Sequence, residues 1–274
     1  MSLPRQNLDA VRDFLRSGAP PAATRDAATV ALIRDGAEGL EAYLLRRVRA
    51  MAFAAGMHVF PGGSVDPADG AAGSQSAPER NWAGPPPARW AADFGTDEAK
   101  ARALVCAAVR ETFEECGVLL AGPSPDEVLA DVSGSEWEAE RLALEARETT
   151  LSGLLERRGL VLRADLLRPL AHWITPEAEQ KRFDTRFFLA GMPEHQVCRD
   201  VGGEAESRVW VPIRTALDQG LSLMPPTHAV LVELAQFDDV ATALAAPRTI
   251  MRIMPRFELT GDDVVFLLPG DPGY

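Results

Sequence analysis

The sequence predicts an α/β fold, a single mixed α/β domain carrying one long loop insertion. Three observations predict it. Short β-like runs such as ATVALIRD and RFDTRFFLAGM alternate with helical periodicities. No linker separates two comparable cores. One stretch, 66–96, interrupts the pattern with Gly, Pro, Ala and Ser. The 274 residues are 46% hydrophobic and 25% charged, which suffices for one large core.

The elements follow in chain order. An N-terminal arm, 1–21, holds an amphipathic stretch from Leu8 to Leu15 and ends in the breaker SGAPPAA. ATVALIRD and LEAYLLRRV, separated by GAEG, read as a hairpin. A third β-like run, MHVF, leads into PGG. The insertion 66–96 reads as a surface loop or a lid, with a short helical piece around Ala88 to Phe94. Helix signals resume at Thr96, the expected N-cap, with Asp97 and Glu98 in the first turn. Leu104, Val105, Ala108, Val109, Thr112, Phe113 and Cys116 form its apolar side, and Gly117 ends it. A charged helical block, Ser135 to Arg158, is expected to face solvent. RPLAHWIT, RFDTRFFLAGM and SRVWVPI read as strands, MPPTHAVLVELAQF as a helix starting near Thr227, and TIMRIMPRFELT with DVVFLLPG as a final strand pair.

Charge and cysteine content narrow the function. A formal net charge of −12 disfavours nucleic acid and anionic membrane as partners. Three cysteines, with no metal-type spacing, suggest a reducing, cytoplasmic setting. The N-terminal residues lack the apolar run of a signal peptide, and no stretch is apolar enough to span a membrane.

The chemistry concentrates in VRETFEECGV, Val109 to Val118. On a helix, Glu111, Glu114 and Glu115 share an arc of roughly 100°. Such clustering is unfavourable unless a cation sits among them, either a metal ion or an arginine neighbour. Magnesium takes oxygen ligands and is commonly held by carboxylates together with substrate phosphates. The strand running into FPGG brings Gly62 and Gly63, whose missing side chains permit close approach of an ion or a diphosphate.

These residues resemble the Nudix hydrolase family, whose box reads G-x5-E-x7-R-E-U-x-E-E-x-G-U with U apolar. Arg110, Glu111, Glu114, Glu115, Gly117 and Val118 match its second half, with Thr112 at the first U position. Counted back from Arg110, the first half fails: Arg102 stands where glutamate belongs and Thr96 where glycine does. Gly63 is the better box glycine. It precedes Arg110 by 47 positions where the motif has 14, a difference of 33, about the length of the insertion.

An interrupted box with FPGG resembles the coenzyme A and acyl-CoA diphosphatase branch. AATVALIRDG, MAFAAGMHVFPGG, WITPEAEQKRFDTRFFLA and MPPTHAVLVEL extend the likeness from Ala22 to Leu234. Gly56 to Gly63 resembles the end of a coenzyme A signature, including His58 and Phe60, although Ala52 replaces its arginine and Arg49 is the substitute.

The resemblance implies a Nudix-type α/β/α sandwich with a mixed sheet. It also implies Mg²⁺- or Mn²⁺-dependent hydrolysis of a nucleoside diphosphate linked to another group. Coenzyme A or acyl-CoA is the leading substrate; ADP-ribose, dinucleotides or nucleotide sugars are the alternative, and non-hydrolytic nucleotide binding is a third reading. By position, Glu114 and Glu115 are metal ligands, Glu111 is a ligand or the base orienting water, and Arg110 braces them. A carbonyl of Gly62 or Gly63, and Glu204 with Glu206 in reserve, would complete the metal shell. Arg49, His58, Phe60 and Arg182 are candidate substrate contacts, with Arg46, Arg47 and Lys181 as rivals for a phosphate. A homodimer fits the family.

Overall fold

The computed structural model describes residues 5–47, 56–71, 81–201, 205–261 and 263–274. The side chains of 5–7, 47, 71 and 205 are not included. Helix α1 (Arg5–Ser17) precedes strand β1 (Thr24–Gly36), which turns through Gly36–Gly39 into β2 (Gly39–Arg47). Gly39 adopts φ 101°, a left-handed conformation that explains the glycine in this turn. Two short strands follow, β3 (His58–Val59) on β2 and β4 (Gly62–Ser64) on β1.

The stretch 66–96 differs from a plain loop in its described parts. It holds helix α2 (Pro67–Ala71), strand β5 (Trp82–Ala83) and helix α3 (Pro87–Phe94). Pro87 opens α3 and Gly95, at φ 62°, closes it. Trp90, Ala91 and Phe94 are buried, and the two aromatic rings pack on Phe188 of the sheet. Three apolar residues on one face of an eight-residue helix are what composition alone conceals.

Helix α4 (Glu98–Cys116) carries the glutamates. Its N-cap is Asp97, not Thr96: the Asp97 carboxylate accepts from the Lys100 N–H at 2.8 Å. Gly117 ends it in the left-handed conformation, φ 69°. The expected apolar side is buried, and Ala101, Ala103, Cys106 and Ala107 are buried with it.

After β6 (Ala121–Gly122) come α5 (Ser135–Glu145) and α6 (Leu151–Arg158). This block is not simply solvent-facing. Leu144, Leu151, Leu154 and Leu155 enter the core, and Arg141 is 1% exposed. Strand β7 (Val161–Arg163) bridges β5 and β6 in a small separate sheet. Strands β8 (Leu167–Ile174), β9 (Arg182–Gly191) and β10 (Ala205–Pro212) return to the main sheet. The chain continues through α7 (Ile213–Asp218), α8 (Pro225–Leu234), α9 (Val240–Ala245), β11 (Arg252–Ile253) and a final hairpin, β12 (Arg256–Thr260) with β13 (Asp263–Leu267). Helix α8 starts at a proline pair two residues earlier than the sequence suggests.

The main sheet runs β10-β2-β1-β9-β8-β11, and β3 and β4 attach to β2 and β1. It is mixed: β1 and β9 are parallel from Thr24↔Arg182 to Ile33↔Gly191, whereas β1–β2 and β8–β9 are antiparallel. A strand buried on both faces needs a near-continuous apolar run, which ATVALI supplies. Val30, Leu32 and Phe188 face α4, while Ala31, Ile33 and Leu189 face α7, α8 and α9. The result is the α/β/α sandwich that the family resemblance implies. Among the described residues, no helix is long and apolar enough to cross a membrane.

Candidate active site

The site forms where β4 crosses the last turns of α4. Pairing of Gly62 and Gly63 with Thr29 and Ala28 lays the glycine strand against the acidic side of the helix. The Gly62 N–H donates to Glu115 Oε2 at 2.7 Å. A Cβ on Gly63 would lie 2.5 Å from Glu111 Oε1, and one on Gly62 would meet the Ala28 carbonyl. A larger residue at Gly62 would meet backbone, and one at Gly63 would displace the Glu111 carboxylate.

Arg110 organises the carboxylates. Its Nε and Nη2 fork onto Asp69 at 3.0 and 2.9 Å, Nη1 donates to Glu111 at 2.7 Å and Glu114 at 3.1 Å, and Nη2 reaches the Ser64 carbonyl at 2.9 Å. The Asp69 side chain is 2% exposed. A planar guanidinium is suited to this bidentate contact, where lysine could hold only one point.

Three carboxylates, those of Asp69, Glu111 and Glu114, thus gather around one guanidinium, with Glu115 beside them on the Gly62 N–H. Burial raises the Glu111 carboxyl and raises that of Glu114 to about 7, against the opposing pull of Arg110. The donors are all hard oxygens, and the ionised forms lack sufficient positive charge. That donor set and that charge deficit fit a divalent cation such as Mg²⁺ or Mn²⁺. Among the described residues, no three acidic, histidine or cysteine side chains stand ready as a cage. Arg110 Nη1 takes the bonds of Glu111 and Glu114 that an ion would share.

Asp69 is the residue that sequence reasoning missed. It stands six positions after Gly63, the G-x5-E spacing with aspartate for glutamate. Counting forward from the glycine finds it; counting back from Arg110 reaches Arg102 instead. The carboxylate that braces the arginine is therefore present, and the extra residues fall between Asp69 and Arg110. Thr112, at an apolar box position, satisfies its buried hydroxyl by donating to the Ala108 carbonyl at 2.7 Å.

Residues 22–226 match the NUDT19 Nudix domain family. The chain belongs to that family. The human acyl-coenzyme A diphosphatase NUDT19 is 30% identical over 277 residues, spanning 87% of this chain and 73% of the relative. The protein of that name from Gallus gallus is 28% identical, over 85% and 72%. The crystal structure of a NUDIX hydrolase from Alicyclobacillus acidocaldarius aligns at TM-score 0.69 with 30% identity, over 83% of this chain and 98% of that one. In this Nudix hydrolase the box is one spatial unit, Gly63, Asp69, Arg110, Glu111, Glu114 and Glu115, despite its interruption in sequence.

The other candidate residues lie apart from that unit in their contacts. Phe60 is 2% exposed in the apolar cluster beneath α7 and α8. It packs on the face opposite its neighbour Val59, within the apolar core. Arg182 is buried, its guanidinium donating to the carbonyls of Ala22, Thr175 and Pro176. Those bonds clasp the start of β9 to the segment before β1 and to the end of β8. His58 pairs its Nδ1 with the Ser222 carbonyl at 3.1 Å. Arg46 contacts the Gly56 carbonyl at 3.4 Å and Glu206 at 3.7 Å, which places Glu206 in an ion pair on β10. Arg49 and Glu204 lie outside the described residues.

A second missed residue is Arg141. Its Nη1 donates to the Glu114 backbone carbonyl at 3.0 Å while Glu138 and Glu145 hold the guanidinium from its own helix. It caps one of the carbonyls that the last turn of a helix leaves open. The spacing Glu138, Arg141, Glu145 in SEWEAERLALE was the available signal.

Proposed function

We propose that this Nudix hydrolase cleaves the diphosphate of coenzyme A or acyl-coenzyme A, releasing 3′,5′-ADP and 4′-phosphopantetheine or its acyl form. One observation carries the reaction class: a glycine strand laid on a buried, charge-deficient carboxylate cluster that Arg110 and Asp69 hold in register. The substrate class is supported by the names of the relatives, acyl-coenzyme A diphosphatases covered over more than two thirds of their length.

A bound Mg²⁺ or Mn²⁺ would supply the positive charge that offsets the diphosphate and favours attack by water. Glu114 and Glu115, with Glu111 behind them, are the residues to hold it. Glu115 is steadied by the Gly62 N–H, and Gly63 leaves the Glu111 carboxylate uncovered by a side chain. Arg110 fixes where Glu111 and Glu114 can lie, and Asp69 fixes Arg110. Glu204 remains the proposed acidic addition from outside the box, with Arg49 and His58 as proposed substrate contacts. Three free cysteines support a reducing, cytoplasmic setting.

Incubation with Mg²⁺ and a mixture of coenzyme A, acetyl-CoA, ADP-ribose, NADH and a diadenosine polyphosphate, followed by mass analysis, tests the reading. Release of 3′,5′-ADP from the coenzyme A compounds is the expected outcome. Cleavage of another member alone would keep the chemistry and discard the substrate.

A further inference from the structure

Helix α5 closes on a strained residue. The Arg147 N–H donates to the Leu144 carbonyl and the Glu148 N–H to the Ala143 carbonyl, both at 2.8 Å. This pair of bonds closes a helix on a left-handed residue, a place usually taken by glycine. Helices α3, α4 and α6 end on Gly95, Gly117 and Gly159 in that conformation. After Ala146, α5 instead has Arg147, at φ 58°. Any Cβ there crowds the following carbonyl oxygen. Strain of this kind gathers at ligand-binding positions.

The strained residue stands beside the carboxylate cluster. Arg141 ties α5 to the Glu114 carbonyl. Arg147 follows six positions later, roughly 9 Å further at helical rise. Its Nε lies 3.6 Å from Asp66 Oδ2, and its side chain is 83% exposed. The Asp66 N–H in turn donates to Asp69 Oδ2 at 2.8 Å, and Asp69 braces Arg110. Burial raises the Glu111 carboxyl, and Arg147 joins Arg110 among the charges that oppose the rise.

The two arginines differ in what they can still hold. Every nitrogen of the Arg110 guanidinium donates to protein: Nε to Asp69, Nη1 to Glu111 and Glu114, Nη2 to Ser64 and Asp69. Among the described residues, the Arg147 guanidinium makes one long, exposed ion pair, a contact of little strength that exchanges readily. Asp66 does not depend on it, because Asp66 Oδ1 accepts from the Ala68 N–H at 2.9 Å.

We propose that Arg147 is a substrate-binding residue, whose guanidinium leaves Asp66 and forks onto the diphosphate as it meets Glu111, Glu114 and Glu115. The assignment rests on reading the site as a diphosphate hydrolase, and not on coenzyme A as the substrate. Arginine matches phosphate oxygens bidentately. In a protein of net charge −12, an exposed cation at the edge of the site also draws the anion in. Glycine would end α5 without strain but would supply no cation.

Steady-state kinetics on the full chain with Mg²⁺ test this, with dephospho-CoA added to the substrates named above. For each substrate that the wild type cleaves, Arg147→Gln should raise KM about tenfold with little change in kcat. Arg147→Gly should raise KM equally while moving the urea midpoint upward, since glycine fits the left-handed position. Asp66→Asn, which can still cap α2, should keep KM at or below the wild-type value because it releases the arginine. An unchanged KM in Arg147→Gln, beside normal wild-type turnover, would overturn the role of the arginine and leave the hydrolase reading standing. A KM rise in Asp66→Asn as large as in Arg147→Gln would also overturn it, by making Arg147 a brace for Asp66. A lower urea midpoint in Arg147→Gly would count against it too, because the arginine would then be there for stability. A rise for coenzyme A but not for dephospho-CoA would overturn the diphosphate contact in favour of the 3′-phosphate. A wild type that cleaves none of the substrates would overturn the reaction class and this assignment together.

Discussion

At the scale of single residues, the Asp69–Arg110 pair decides whether the interrupted box works. Both side chains are nearly buried, so removing one leaves the other as an uncompensated charge. Asp69→Ala should cost about 3–5 kcal/mol in urea unfolding, and Asp69→Glu, the residue that the family motif carries, far less. Equal losses for both would contradict the bracing role. Glu114 makes a different prediction. Its carboxyl, raised from 4.5 to about 7 by burial, favours the protonated form in the fold. Its contribution to stability is therefore present at low pH and lost as pH rises across that interval in metal-free protein. Glu114→Gln should flatten this part of the pH dependence of the urea midpoint while lowering hydrolysis by at least about 100-fold. A midpoint profile unchanged by the substitution would remove the electrostatic account. The second half of the box was legible because Arg110, Glu111, Glu114, Glu115 and Gly117 are contiguous on one helix. Asp69 was not, because its partner lies 41 positions along the chain. The burial of Phe60 was not legible either, because one step along an extended chain reverses which face a side chain occupies.

Among elements, α4 is the component on which the others act. Its start is set by Asp97, its end by Gly117, and the carbonyl of Glu114 by Arg141. Periodicity and capping residues made the helix readable to within two positions. The role of α5 was hidden, since SEWEAERLALE looks like a solvated face when its charges are counted without a partner surface. Burying Arg141 is tolerated because two glutamates and two backbone carbonyls receive its donors. Arg141→Met should lower stability by about 2–3 kcal/mol, from lost charge-assisted bonds and an uncapped carbonyl. Because the uncapped turn bears Glu114 and Glu115, half-saturation by Mn²⁺ should move to higher concentration in the same variant. Arg141→Lys should recover less than half of either effect, since one ammonium cannot span these acceptors. Full recovery would show that charge alone suffices.

For the molecule as a whole, the main sheet buries both faces and gathers its acidic cluster at one place, where β4 meets α4. The α/β class and strand order near the hairpin were legible from apolar runs. The placement of α3 and the small β5–β7–β6 sheet was not, because they are held by long-range packing that leaves only Trp90, Phe94 and Leu162 as traces. A fold that confines several buried carboxylates in this way carries repulsion that the unfolded chain escapes. A cation that binds the folded state alone then stabilises it by mass action. At a concentration about 100 times its dissociation constant, the gain is about 2.7 kcal/mol. Mg²⁺ or Mn²⁺ should accordingly raise the thermal midpoint of the wild type, and EDTA should reverse the rise. The increment should grow as pH increases toward neutrality, because the cation competes with the proton that Glu114 otherwise holds. In Glu114→Gln the increment should shrink markedly even though the metal-free variant starts from a higher midpoint. If both proteins gained equally from the ion, its binding would lie elsewhere on the acidic surface, and the box would be left without the charge that its geometry demands.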